Sequence, residues 1–174
     1  MHKRKQNMTK EAFNQKGFRD TLGQFATGVT IITTLDGDGA PVGITASSFN
    51  SVSMDPPLVL WSLAKNAYSL ACFEKAEYYN IHILGIDQEE MSNRFARPGT
   101  DKFNTIEFHA GRGDTPVLKD CAALLECRTR HQYDGGDHII FVGEVLSHSH
   151  SAKKPLVFHQ GQYASTLPKA VTRI

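Results

Sequence analysis

The sequence predicts a mainly β fold of one domain, a β-barrel with helices at its periphery, and three features of the pattern predict it. Runs rich in β-branched and aromatic residues recur along the chain, each bounded by Gly, Asp or Pro turns. Two segments carry apolar residues at helical spacing. No internal repeat or low-complexity linker divides the 174 residues, a length that suits one core at 40% hydrophobic content. Residues 9–167 are therefore read as a single domain, with 1–8 and 168–174 expected to be flexible termini.

Each element has its own local reason. From 9 to about 25, Phe13, Phe18, Leu22 and Phe25 fall at helical spacings between polar residues, and Thr9 suits the N-cap of an amphipathic helix. Residues 28–34 are largely β-branched, and Asp36-Gly37-Asp38-Gly39 turns them into a second strand at 41–45. Leu58 to Leu63 reads as a buried strand and 78–84 as another, while 87–96 reads as a short helix that must end before Pro98. Segments 122–129 and 138–146 flank Asp134-Gly135-Gly136 as a second hairpin, and 155–163 is expected to add a closing strand.

Composition restricts the partners. The 19 Lys and Arg nearly cancel the 18 Asp and Glu, so the formal charge of +1 provides no whole-molecule field for nucleic acid or an anionic membrane. No nucleic acid and no membrane are expected among the partners. Cys72, Cys121 and Cys127 form no even framework, which fits a reducing cytoplasm. The basic start MHKRKQNMTK is followed by no apolar run of signal-peptide length, and no uncharged stretch is long enough to span a bilayer. A soluble cytoplasmic protein is the expectation.

The most unusual segment is Gly43-Ile44-Thr45-Ala46-Ser47-Ser48-Phe49-Asn50-Ser51-Val52-Ser53, which concentrates small hydroxyl side chains in otherwise extended chain. Small residues admit another molecule close to the backbone, and their hydroxyls and neighbouring N–H groups can grip phosphate, polyol or ring carbonyl without a full charge. A polar edge strand leading to a turn explains the same composition.

FATGVTIITT, GITASSFNSVSMDPPLVLWSL, RFA, GDHIIFVGEV and PLVFHQGQY stand in an order and at spacings that resemble the short-chain flavin reductases, the reductase components of two-component flavin-dependent monooxygenases. The resemblance runs from about Phe18 to Tyr163. It implies an FMN-binding split β-barrel of Greek-key topology, a homodimer, with the flavin in a groove near the subunit interface. The absence of a strand-linked G-x-G-x-x-G agrees with a site that is not a Rossmann fold. The implied activity is that of an NAD(P)H:flavin oxidoreductase: hydride passes from NADH (or NADPH) to FMN or FAD, and diffusible reduced flavin goes to an oxygenase component.

Carried over by position, the resemblance implies that Thr45, Ala46, Ser47 and Ser48 line the isoalloxazine and ribityl chain, with Ser51, Val52 and Ser53 adding donors. Ser62, Ala64 and Lys65 match positions that meet the flavin phosphate, although a solvated loop lysine is an equal reading of Lys65 alone. Arg94 is implied to reach the phosphate with Phe95 beside it; a helix C-terminal arginine and a core phenylalanine are the plain alternatives. His138, in Gly135-Gly136-Asp137-His138, matches the turn that faces nicotinamide and flavin and is the candidate catalytic residue. A histidine at a strand start bonded to its turn is the alternative. Tyr163 is implied near the dinucleotide pocket, or else serves as a barrel-closing aromatic.

Other histidines and acids carry less. His148 and His150 alternate along a strand with His131 and His159 elsewhere, but without a nearby carboxylate or cysteine they are assigned no metal. Cys121 and Cys127 are read as core thiols on one strand face. Asp36-Gly37-Asp38-Gly39 lacks the remaining calcium-loop ligands, and there is no G-x-S-x-G elbow for a hydrolase. Two further classes compete with the reductase: a flavin-binding electron carrier or redox sensor without rapid NAD(P)H oxidation, and an enzyme resembling pyridoxamine phosphate oxidases. The second needs a basic phosphate pocket that the sequence does not reveal.

Overall fold

A computed structural model describes residues 13–99 and 101–167. The expected N-cap Thr9 and the segments 1–8 and 168–174 lie outside them. The first helix, α1 (Gln15–Leu22), starts later than its periodicity suggests because Asn14 caps it, accepting from the Gly17 N–H at 2.9 Å. No residue of α1 is buried, and Phe18 and Leu22 remain exposed.

The β elements dominate. After β1 (Thr27–Gly28) come β2 (Thr30–Leu35), β3 (Pro41–Ala46), β4 (Asn50–Met54), β5 (Pro57–Ala64), β6 (Tyr78–Ile83), β7 (Phe108–Ala110), β8 (Pro116–Leu118), β9 (Ala123–Asp134), β10 (His138–His150), β11 (Val157–His159) and β12 (Gln162–Ala164). Among the described residues three α-helices accompany them rather than two, with one 3-10 turn at Arg112–Asp114: besides α1 there are α2 (Leu70–Lys75), which the sequence pattern missed, and α3 (Glu89–Ala96). At six residues α2 is too short to show a period. Seven strands form one antiparallel sheet in the order β3-β2-β6-β9-β10-β5-β4.

Alternation along β5 explains which face is inside. Val59, Trp61 and Leu63 are buried, and with Ile32, Phe73, Tyr79, Ile81, Cys127 and Phe141 they make the main core. Trp61 stacks on its cross-strand partner Phe141 at 4.7 Å between ring centroids, and Phe73 meets Trp61 edge-on at 5.0 Å. A second cluster, Val29, Ile31, Leu84, Phe95, Leu118 and Leu156, fills the space beneath α3 on the opposite side of β2. Cys121 packs there while Cys127 lies in the main core, so the two thiols do not share a face; Cys121 precedes β9, where strand alternation does not yet hold.

His82 joins the sheet to β8. It is fully buried, and because the Leu118 N–H can only donate, Nε2 accepts it at 3.0 Å. The proton therefore sits on Nδ1, which donates to the Ile31 carbonyl at 3.0 Å. Burial pushes this imidazole down to about 4.

The C-terminal strand does not close the main sheet as expected. The Gln160-Gly161 turn, with φ of +50° and +79°, folds 157–164 into the β11–β12 hairpin. That hairpin pairs with β1 in a separate three-stranded sheet. Among the described residues no helix is long and apolar enough to cross a membrane.

Candidate functional site

Where the chain leaves β3 the regular pairing stops, and the residues singled out from the sequence begin to gather. Ser47, Ser48 and Phe49 lie between β3 and β4. The Ser48 hydroxyl accepts from the Ser62 N–H at 2.9 Å and donates to the Ser62 carbonyl at 3.1 Å. One side chain thus fastens this turn to β5 and brings opposite ends of the seven-stranded sheet together. The backbone N–H groups of Ser47, Ser48 and Phe49 form no hydrogen bond among the described residues. Three free donors beside small, exposed side chains fit the carbonyl and nitrogen edge of a flat polar ring.

His138 stands on the far side of β5. It pairs with Ala64 at the first position of β10, and Ser62 pairs with Ile140 two residues along. The turn that presents it is braced from two directions. Gly135 N–H donates to the His138 carbonyl at 2.9 Å, and Gly136, at φ +87°, donates to Asp134 Oδ1 at 2.9 Å. Lys65 then holds the whole turn, its N–H on the Asp137 carbonyl at 2.9 Å and its Nζ on Asp134 Oδ2 at 2.6 Å. The lysine keeps the Asp134 carboxyl below its ordinary range. His138 Nδ1 lies 2.8 Å from Asp137 Oδ1, and this contact lowers the Asp137 pKa. The Nδ1–H tautomer is the one that donates to the carboxylate, which leaves Nε2 as the acceptor of the half-exposed ring.

The remaining predicted residues divide. Thr45 and Ala46 lie at the end of β3, but the Thr45 hydroxyl donates to the Ser92 carbonyl at 2.7 Å and so secures α3. Ser51, Val52 and Ser53 are on β4, largely exposed. Arg94 is turned to the following loop, donating to the Asn104 carbonyl at 2.7 Å and to Thr105 Oγ1 at 3.2 Å. Phe95 is fully buried against Gly43 and Phe103, where a Cβ on residue 43 would strike its ring; here it is core. Tyr163 bonds Ser92 Oγ at 2.8 Å and Asn93 Oδ1 at 3.0 Å, tying the C-terminal hairpin to α3. His148 and His150 are exposed at the end of β10.

Two cavities open along these elements, and the first reaches the turn. One, of about 670 Å³, opens beside Ser47 between Phe25, Thr27, Phe158 and Gly161. The other, of about 460 Å³, runs along β3 and the chain leaving β5, between Gly43, Tyr68, Ser69, Arg97 and Lys102. Sequence reading missed this basic pocket because its cations follow α3, some thirty residues beyond the other wall. A signal was present in the succession Arg94, Arg97, Lys102 around Pro98-Gly99.

Comparison with known proteins points one way. A family described as "Flavin reductase like domain" matches residues 22–167. The chain is 43% identical over 150 residues to the FMN reductase (NADH) SmoA of Agrobacterium fabrum, covering 86% of this chain and 85% of that protein. It is 39% identical over 159 residues to the flavin-dependent monooxygenase reductase subunit HsaB of Rhodococcus jostii, covering 91% and 81%. A longer Rhizobium meliloti relative, 40% identical over 156 residues, is spanned for only half its length (90% of this chain, 50% of that one). Among solved structures, nitrilotriacetate monooxygenase component B from Mycobacterium thermoresistibile superposes with a TM-score of 0.85 at 36% identity, covering 92% of this chain and 90% of that one. The Streptomyces globisporus NADH:FAD oxidoreductase SgcE6, in complex with NAD and FAD fragments, does so with a TM-score of 0.82 at 35% identity, covering 88% and 93%.

Proposed function

The chain belongs to the flavin reductase-like family, and from that premise we propose that it is an NAD(P)H-dependent flavin reductase that transfers a hydride from NADH to FMN or FAD and supplies reduced flavin to a partner monooxygenase. The observation that carries the reading is the juxtaposition at one end of the sheet of the Ser47–Ser48 turn, Ser62 and the Lys65-braced turn of His138. Ser47, Ser48 and the free N–H groups of 47–49 hold the ring edge; Ala46, Ala64 and the hydroxyls of Ser51 and Ser53 leave room beside it. Flavin, when bound, supplies the hydride-accepting ring.

The chain's own residues then align and polarise. Fixed N–H donors lie where negative charge gathers during reduction, and they need no reorganisation at that moment. His138 orients the nicotinamide, with Asp137 setting its tautomer and Lys65 setting its position. Thr45 and Tyr163 act through α3, whose attachment to both fixes the wall behind the turn. No side chain has to serve as nucleophile or proton donor for hydride transfer, which fits a site of hydroxyls and amides.

The sheet closed at Ser48–Ser62 supports a split barrel over a single domain at 9–167, working as a homodimer in the cytoplasm. The uncovered apolar residues Phe18, Leu22 and Phe25, in and just after α1, supply a face for the second copy. The test is steady-state oxidation of NADH and of NADPH under air, with and without added FMN or FAD. Turnover that needs added flavin and favours NADH is the expected result. Flavin binding without nicotinamide oxidation would replace the reductase with an electron carrier or sensor.

A further inference from the structure

The two longest strands, β9 and β10, are paired along almost their whole length, yet the pairing slips at Val142–Gly143 and again at Val145–Ser147. At the first slip Val142 faces His131 while Gly143 faces Thr129, so Arg130 is left over as a bulge. A bulge bends the strand that carries it and re-aims the side chains beyond it. Beyond this one lies the arm 131–142, with the Asp134–Asp137 turn and His138 at its tip. β10 runs without a slip against β5 from His138 to Glu144, so the set of the arm is decided where β10 meets the core at Gly143.

Tyr79 is the core residue at that point. It starts on β6, pairs with Cys127 on β9, and its ring passes beneath β9 to end at β10. A Cβ on residue 143 would stand 2.0 Å from the Tyr79 hydroxyl oxygen and 2.8 Å from Cζ, so only glycine leaves room for the hydroxyl. That hydroxyl is buried and has no hydrogen-bond partner among the described residues, and Trp61 Nε1 on the adjoining ring is also unpaired. A buried donor without a partner costs free energy, and phenylalanine would fill the same ring space without that cost. Core packing therefore does not account for the oxygen; its contact with Gly143 does. Trp61 completes the wedge, edge-on to Tyr79 at 5.8 Å between centroids and stacked on Phe141 at 4.7 Å. Its strand, β5, is the one whose Ser62 holds the Ser48 turn. One aromatic group thus ties the strand that fastens the ring-binding turn to the strand that carries His138.

We infer that Tyr79 is a positioning residue for hydride transfer: its hydroxyl, wedged into the notch at Gly143, sets the distance between His138 and the Ser47–Ser48 turn. The inference rests on the flavin reductase reading for the reaction it serves. The hydroxyl acts through its bulk, as a spacer, and being fully buried it touches neither flavin nor nicotinamide.

The test is Tyr79→Phe, which removes only the oxygen, and the double variant Tyr79→Phe with Gly143→Ala, whose new methyl takes up the place the oxygen leaves. Each full-length protein is loaded with flavin and mixed with NADH without oxygen, and the bleaching of the flavin is followed alongside the urea midpoint and the flavin Kd. Tyr79→Phe keeps or raises the midpoint and keeps the flavin Kd, but slows hydride transfer at saturating NADH by about tenfold, within the ~10²-fold that a misplacement of about 1 Å can cost. The double variant recovers most of the lost rate. A single variant as fast as the wild type overturns the inference, and so does a joint loss of midpoint, flavin affinity and rate, which marks an ordinary core residue. A double variant no faster than the single one overturns the spacer. If the wild type itself transfers no hydride, the reductase reading fails, and the proton–nitrogen NMR signals of the His138 ring decide what remains. Signals displaced in Tyr79→Phe and returned in the double variant place the wedge beneath the arm; unmoved signals overturn it.

Discussion

Strands β4 and β5 are hydrogen-bonded neighbours with opposite surroundings. β5 buries Val59, Trp61 and Leu63, whereas β4 leaves Asn50, Ser51, Val52 and Met54 exposed. The first strand is held by the packing of large rings, the second by its ladder and by the Ser48 turn that leads into it. The difference shows how this fold builds a site: a rigid aromatic interior fixes the frame, and the binding segment lies where hydrophobic alternation ends and backbone donors are left over.

The largest break in that contrast comes from the interior. Trp61→Ala removes a fully buried ring and lowers stability by about 3–5 kcal/mol, measured as a shift in the urea midpoint. The corresponding Val52→Ala on β4 leaves the midpoint nearly unchanged. A loss of stability at Val52 equal to that at Trp61 would show that β4 is covered in solution by a partner whose contact supports the fold.

Acid is the next lever, and it acts through His82. Its folded pKa of about 4 lies below the ordinary 6.5, so folding favours the neutral ring. The stabilisation is complete above about pH 6.5 and is lost as pH falls to about 4, on the order of 3 kcal/mol in all. Stability measured between these values should fall steadily in the wild type and be flattened in His82→Leu. A wild-type curve that is flat over this range would remove His82 from the account.

Much of this frame was legible in the sequence, because β-branched runs and Gly/Asp turns determine strands locally. The strands expected at 41–45 and 58–63, observed at 41–46 and 57–64, and the hairpin at Gly135-Gly136 follow directly from them. The sheet order and the detachment of 157–164 into its own sheet were not legible, since they depend on contacts far apart in the chain, and α2 was not, because six residues show no period. In the site, the family pattern brought Ser48, Ser62 and His138 forward, and the structure places them on adjoining positions. What the sequence could not show is how side chains are occupied. Lys65 is turned to Asp134, Thr45 to Ser92, and Phe95 is core.

Smaller effects sharpen the site. Ser48→Ala removes both bonds to Ser62 and costs about 1 kcal/mol of stability while raising the KM for flavin several-fold. Restoration by Ser48→Thr would confirm the hydroxyl. Lys65→Met should leave the urea midpoint almost where it was, since its ion pair with Asp134 is exposed, yet lower kcat by loosening the His138 turn. A raised KM for flavin with unchanged kcat would instead return Lys65 to the phosphate.

The most direct measurement is a single turnover without oxygen, in which wild type and His138→Ala, each with flavin bound, are mixed with NADH and the bleaching of the flavin is followed. Rapid bleaching in the wild type, slowed at least about tenfold in the variant at saturating NADH, is the result predicted for a residue that aligns the donor. Equal bleaching rates in the two proteins would contradict the placement of the reacting centre between the Ser47–Ser48 turn and His138.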